Sequence, residues 1–306
     1  MKLDDLLERV AEIPSTAAYW FVRTEGGDYF QTFYENNFIG IGWNEIRIAD
    51  LAKPVEEVKR KIAVTQNISV NKKTGQSKVT AIYTKLQRFR DLRKNDIIVI
   101  PSKGSNILAF GIIADNNIYS ETNVAKISEC PFRKRRKIKW IQFEKLSRLS
   151  DGFYKIKQSR HAISNINKYS EYIDSETGSL FTKNQDVHFV LDVEQAQFID
   201  FEQLTAFMAE LKKLSHSIDK VFNLPDMNPI GIRLELQSPG KIELFRSAGK
   251  GLIILAVLLA SCKNGTVTKT NVKEIDTFAE EHVDSLKKID ALMDSLEIDR
   301  KKLFKP

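Results

Sequence analysis

The stretch DIIVIPSKGSNILAFGIIA, residues 96–114, places two apolar runs on either side of PSKGSN, a segment of turn-forming Pro, Ser, Gly and Asn. Apolar, β-branched runs of this length bounded by such a turn read as a buried hairpin. Towards the amino terminus, 81–92 predicts a helix, NKKTGQSK (71–78) a polar loop, and 51–64 a second helix with Pro54 near its start and Val55, Val58 and Ile62 on one face. FIGIGW (38–43) and AYWFVRT (18–24) read as short strands, the latter running into a turn at Gly26 and Gly27. On the other side of the hairpin, RKIKWIQFEKL (136–146) alternates Ile138 and Trp140 with basic neighbours, as a half-buried strand does. Five or six short strands with two helices make a small barrel or a strongly curved sheet. Residues 150–180 are polar, with a helix expected over 162–172 and a linker at DSETGS (174–179).

The chain has 306 residues, enough for two domains that each bury a core. With 42% hydrophobic and 28% charged residues, 14 Gly and 8 Pro, it is neither disordered nor fibrous. Cys130 and Cys262 supply neither a disulfide framework nor a metal cluster, so no metal or cofactor is expected and the compartment reads as reducing. MKLDDLLERVAEIP (1–14) reads as a short amphipathic helix stopped by Pro14 and not as a secretory signal, which makes the cytoplasm the expected location. The net charge of +7 divides unevenly. Residues 1–185 hold 31 Lys+Arg against 21 Asp+Glu, and the remainder hold 16 against 19, so the excess of cations lies in the first half and points to an anionic partner there.

The boundary falls at the linker, giving domains over 1–175 and 186–306. VHFVLDV (187–193) opens the second as a strand. A helix over 201–221 follows, with Asp200 as its N-cap and Leu204, Phe207, Met208, Leu211, Leu214 and Ile218 at helical spacing. Residues 231–245 alternate on both sides of a Ser-Pro-Gly turn and read as a hairpin. GLIILAVLLASC (251–262) is apolar on every face. Its twelve residues span about 18 Å as a helix, short of the roughly 30 Å of a bilayer core, so it reads as a central core helix, with membrane insertion as the alternative if flanking residues are recruited. A terminal amphipathic helix over 273–304 packs on its own domain or supports a homo-oligomer. The fold class is α+β in both halves.

The order of motifs in the first half resembles EVE-like members of the PUA-like superfamily. YWFVRTEGGDYF, then FIGIGW, then a helix leading into KLQRFRDLRKNDIIVIPS, the partner strand ILAFGIIAD and finally RKRRKIKWIQF follow the pattern of the amino-terminal module of Mrr-type restriction and other bacterial defence proteins. The resemblance covers residues 15–150 or so. It implies a curved β-barrel whose concave pocket receives a nucleobase, often a modified one, flipped out of a nucleic acid, and it implies no catalysis. The family carries glycine where Asn95 stands, and the polar insertion 71–78 and the basic run 133–139 are this chain's own.

A flipped base needs flat faces, polar groups for its edge and cations for the flanking phosphates; stacking contributes roughly 1–3 kcal/mol per base. Trp43, next to two glycines at a strand end, is the leading stacking residue, with Trp20 and Phe89 as further aromatics. The alternative for each aromatic is barrel core. Ser102 and Lys103 in the PSKG turn, and Arg23 before the glycine pair, offer polar groups to a base or phosphate, or else serve ordinary turns. RKRRKIK (133–139) holds six cations in seven positions. It predicts a phosphate track through Arg133, Lys134, Arg135, Arg136 and Lys137, or an edge strand guarded by charge.

These readings converge on a non-enzymatic sensor in bacterial antiphage defence. It would bind a nucleotide or modified nucleic acid through the first half and signal through an assembly domain. Two alternatives differ in class. One is a nucleotide-gated effector that disrupts membranes through 251–262. The other is a Mg²⁺-dependent restriction nuclease built on Asp226 and Glu235, although nine residues of extended chain put those carboxylates about 30 Å apart, and Gln237 stands where a lysine is needed.

Overall fold

The computed structural model describes residues 5, 8–195, 198–224, 229–235, 239–263 and 266–303. The chain divides into two units, 16–173 and the combination of 1–15 with 174–306. The first residues join the second unit because strand β1 (Ala11–Glu12) runs parallel to a strand at Leu180–Lys183. Residues 1–4, 6 and 7 of the helix expected over 1–14 lie outside the described residues, and the segment just before Pro14 is extended instead.

In the 16–173 unit the elements are β2 (Tyr19–Val22), α1 (Phe30–Glu35), β3 (Phe38–Ile41), α2 (Val55–Thr65), α3 (Lys73–Arg90), β4 (Ile97–Pro101), β5 (Ile107–Ser120), α4 (Val124–Glu129), β6 (Lys134–Lys145), α5 (Gly152–Ile156) and β7 (Ile163–Asn165), and α6 (Ser170–Thr177) starts at its end. The hairpin at 96–114 is present: β4 and β5 pair antiparallel from Ile97 opposite Ile112 to Pro101 opposite Leu108. The sheet has the order β3-β6-β5-β4-β2-β7, with only β2 and β4 parallel. It is a curled half-barrel with edges at β3 and β7, where the sequence predicted a barrel or strongly curved sheet.

Because successive side chains alternate, apolar strands covered on both sides feed two cores. Val22, Ile98, Ile100 and Ala109 pack with α2 and α3 on one face. Phe21, Val99, Leu108 and Phe110 pack with Phe153 and Ile156 of α5 on the other. Two local expectations fail. From Lys73 onward the polar stretch 71–78 is the first part of α3, and Gly75 within it is required by close approach, since a Cβ there would lie 1.8 Å from the Ser69 carbonyl oxygen. The helix expected over 162–172 is β7 followed by a single tight turn, with α6 starting only at Ser170.

In the second unit β8 (Leu180–Lys183), β9 (Asp186–Val193), α7 (Phe201–Val221), β10 (Gly231–Glu235), β11 (Gly240–Ser247), α8 (Lys250–Ser261), α9 (Lys273–Glu281) and α10 (Val283–Ser295) follow in order. The sheet order is β1-β8-β9-β11-β10. The residues expected as a linker at 174–179 close α6 and lead directly into β8. Asp200 caps α7 by accepting a hydrogen bond from the Gln203 N–H at 2.8 Å. The all-apolar segment is α8, and its residues from Gly251 to Leu259 are all buried, in a core shared with α7, β9 and β11. Among the described residues no helix is long and apolar enough to cross a membrane. The terminal helix is two helices broken at His282, whose ring stacks on Phe278 with centroids 3.9 Å apart. Its apolar stripe, Ile275, Phe278, Leu286, Ile289 and Met293, is buried in the unit's own core.

The opposite face of this sheet carries buried ions. Lys241 reaches Asp192 at 2.5 Å and Glu176 at 3.1 Å, so one ammonium faces two carboxylates. Burial, partly offset by Lys241, pushes the Glu176 carboxyl up to about 7. Between pH 4.5 and 7 the folded chain therefore keeps a proton that the unfolded chain releases, and stability falls as pH rises through that window. The total is at most about 3 kcal/mol. Glu176→Gln is expected to flatten this loss in urea unfolding between pH 4.5 and 7.5; an unchanged slope relative to wild type would refute the assignment.

Candidate functional site

Beside the end of β3 the 16–173 unit has a cavity of about 170 Å³, lined by Arg23, Glu25, the segment from Gly40 to Trp43, Phe132 and Ala162. Glu25 belongs to a turn that interlocks with the one at Lys103. Gly27, at φ 105°, lies so close to Lys103 that a Cβ would sit 2.2 Å from that residue's backbone N and Cα, and Thr24 Oγ1 donates to the Pro101 carbonyl at 2.6 Å. Only glycine satisfies both the backbone angle and the approach. On the floor, a Cβ on Gly40 would meet Phe132 Cβ at 2.9 Å, so the phenyl group lies directly on the backbone of β3. Asn44 locks the segment before β6 by donating to the Pro131 carbonyl at 2.8 Å and accepting from the Arg133 N–H at 3.1 Å.

Trp43 is held at φ 55°, a conformation costly for a bulky side chain that persists only when its surroundings enforce it. Its carbonyl is held from two sides, by Lys134, which donates through Nζ at 2.8 Å, and by the Ile46 N–H at 3.0 Å. Burial draws the Lys134 ammonium down to about 8, against the opposing pull of Glu45 and Asp50. Lys85 of α3 stands over the half-buried indole ring, 5.5 Å from its centroid. Arg23 donates from Nε and Nη2 to the Ser159 carbonyl at 2.8 and 2.5 Å and from Nη2 to the Lys157 carbonyl at 3.2 Å. Its Nη1 bonds no described residue, so one edge of the fork remains for a ligand.

Of the residues singled out in the sequence, the structure thus brings Arg23 and Trp43 together. The others lie elsewhere. Phe89 is fully buried core beneath the sheet, and Trp20 packs against the same core with its Nε1 donating to Asp96 Oδ2 at 3.1 Å. Ser102 closes its own turn by accepting from the Ile107 N–H at 2.9 Å, and Lys103 is exposed on that turn without lining the cavity.

The basic run is corrected most. Lys134, Arg135 and Arg136 are at most 2% exposed, which leaves Arg133 and Lys137 as the outward cations among the five. A continuous phosphate track is therefore absent. Arg136 donates to the carbonyls of Phe89 (3.1 Å), Asn116 (3.0 Å) and Arg90. Arg135, on the opposite face of β6, donates to the carbonyls of Phe132, Lys126 and Cys130, pairs with Glu121 at 3.2 Å and covers the Phe38 ring at 4.1 Å. Three consecutive buried cations are possible because both faces of β6 are covered and each head group meets carbonyl dipoles.

The exposed positive surface is instead on α2 and α3. Between Glu57 and Asp91 the chain has nine cations, Lys59, Arg60, Lys61, Lys72, Lys73, Lys78, Lys85, Arg88 and Arg90, and no acid. Arg60, Lys72, Lys73 and Lys78 are fully outward, and Lys59 and Arg60 line an open groove of about 930 Å³ between the two helices. The acid-free interval is visible in the sequence. A polar loop over 71–78, as the local composition predicts, divides it, and only the continuous helix from Lys73 joins its parts on one surface.

Among the described residues no three His, Cys, Asp or Glu side chains form a metal-holding cluster. Asp226 and Gln237, on which the nuclease reading turned, lie outside the described residues, as does Ser238 of the second hairpin's turn. A family model described as a domain of unknown function (DUF8426) matches residues 20–167, almost the whole 16–173 unit. No curated protein and no solved structure matches the chain.

Two substitutions in β6 separate support from positioning. Arg136→Met leaves three carbonyls without a donor and is expected to cost about 3 kcal/mol in urea unfolding, with Arg136→Lys intermediate; a loss under about 1 kcal/mol would contradict the assigned role. For Lys134 the unfolded chain holds a proton between about pH 8 and 10.5 that the folded chain has shed, so stability gains up to about 3 kcal/mol as pH rises through that window. Lys134→Met should remove this gain, which parallel unfolding curves at pH 7.5 and 10 will show.

Proposed function

We propose that the 16–173 unit reads a nucleobase and that the protein is a non-enzymatic sensor of a nucleotide or modified nucleic acid. The observation that carries this reading is the cavity in which Trp43, Phe132, Arg23 and Glu25 converge. Its two aromatic groups supply flat faces, and Arg23 and Glu25 supply the donor and the acceptor that a base edge requires. A volume of about 170 Å³ is below the usual 300–1,000 Å³ of sites that swallow a whole small molecule. A single planar ring suits it better, with sugar and phosphates left outside. Lys85 above Trp43 begins a basic surface that continues along α3 and suits those phosphates.

The curled half-barrel with this cavity at a strand end is also the arrangement that the EVE-like resemblance implies, and we read the unit as PUA-like on that basis. The antiphage setting follows from the same resemblance. Signalling through the second unit, by assembly into a homo-oligomer, belongs to the same proposal.

Fluorescence anisotropy with labelled single- and double-stranded oligonucleotides, carrying plain and modified bases, tests it. Trp43→Ala should weaken binding by about 5- to 150-fold, the loss of one stacked base. Reversing Lys73 and Lys78 to Glu should weaken all sequences alike and lower the salt dependence. If Trp43→Ala binds every oligonucleotide as wild type does while its circular dichroism is unchanged, the reading fails.

A further inference from the structure

The second unit contains a larger cavity, of about 570 Å³, between α7 and the hairpin of β10 and β11. That volume lies within the range of sites that enclose a small molecule. Its walls are mostly apolar: Met208 and Leu211 from α7, Ile230 and Ile232 at β10, Leu244 from β11 and Leu255 from α8. The space exists because β10 is the edge strand and its inner face is left uncovered. Ile232 pairs in register with Leu244, which is buried, yet Ile232 is 48% exposed, and Leu234, opposite the buried Ile242, is 43% exposed. Ile232, on the core-facing side of the sheet, thus lines the cavity while about half exposed, and Leu234 two residues on is similarly exposed.

The charges around it are unequal. Asp219 is its only acid, and it is already neutralised: Arg246 Nη1 donates to both of its carboxylate oxygens, at 2.9 and 2.6 Å. Gly251 makes room for this pair, since a Cβ there would lie 2.7 Å from Asp219 Oδ1. The remaining ionisable groups are Lys212 and His216, both exposed on the same side of α7. His216 Nδ1 lies 2.8 Å from the Lys212 carbonyl oxygen and, because a carbonyl only accepts, donates to it. Among the described residues Lys212 forms no ion pair. An apolar chamber with a spent ion pair inside and the Lys212 ammonium at its rim fits a molecule with an apolar body and one anionic end.

We propose that the 174–306 unit binds a free amphipathic carboxylate, with its hydrocarbon body in the cavity between α7 and β10 and its carboxylate at Lys212, beside His216. The nucleobase reading of the other unit plays no part in this.

Isothermal titration of the full chain with decanoate, decanol and decyltrimethylammonium, each below its aggregation threshold, tests it. Decanoate is expected to bind one to one and most tightly of the three. Ala209→Trp, introduced at an exposed position on the cavity wall, should weaken decanoate and decanol at least about tenfold by filling the space. Lys212→Glu with His216→Glu should weaken decanoate by about fivefold and leave decanol unchanged, as expected for exposed charge pairs. Equal affinity for the three ligands, no saturable binding of decanoate, or an Ala209→Trp protein that binds as wild type would overturn the proposal. Flotation with anionic vesicles separates the source: association with vesicles together with no binding of free decanoate would also overturn it, in favour of a membrane surface.

Discussion

The 16–173 unit depends on the guanidinium of Arg136. A helix ends with carbonyls that have no intrahelical donor, and a strand that loses register leaves further carbonyls behind. Both situations meet at this residue. Phe89 and Arg90 are the last two residues of α3, and Asn116 lies where β5 breaks register with β6 between Ile113 and Ile118. One planar five-donor group, 1% exposed, serves all three carbonyls, and its positive charge also complements the negative end of the α3 dipole. The helix is thereby fastened to the strand that pairs with both β3 and β5. Because β3 runs directly into Gly42 and Trp43, the geometry of the small cavity follows from that attachment.

The neighbouring cations divide the labour. Lys134 holds the strained backbone of Trp43, and Arg135 gathers the residues between α4 and β6 against Phe38. Charges used this way add little to the field outside. The acid-free interval on α2 and α3 supplies that field, with Lys85 linking it to the indole ring. Charge density along a chain therefore locates an anion-binding surface only after the buried members have been subtracted.

In the second unit hydrophobicity divides in a similar way. Helix α8 is the most apolar segment of the chain and lies wholly inside, where its surroundings remove the need for a polar face. Exposed apolar side chains occur instead on β10, a strand of moderate composition, because it lies at the sheet's edge beyond the reach of α7 and α8. The opposite face of the same sheet buries ions in pairs and triads, with His188 stacked on Phe181 and held to Glu243 at 2.7 Å.

Local pattern alone determined much of this. The 96–114 hairpin, the strands near Tyr19 and Phe38, the Asp200 cap, the buried character of 251–259 and the pairing of 231–235 with 241–245 all rest on period, turn residues and propensity, which act between residues close in the chain. Arg23 and Trp43, which line the small cavity, were legible as candidates because each stands close to glycines at the end of a strand. Tertiary structure alone decided which cations face water, where 1–15 belongs, and that 73–78 is helical. It alone also placed Phe132 in the same cavity as Trp43. The reason is physical: burial and charge compensation depend on carbonyls and rings supplied by residues distant in sequence, as when Phe89, Arg90 and Asn116 bind Arg136.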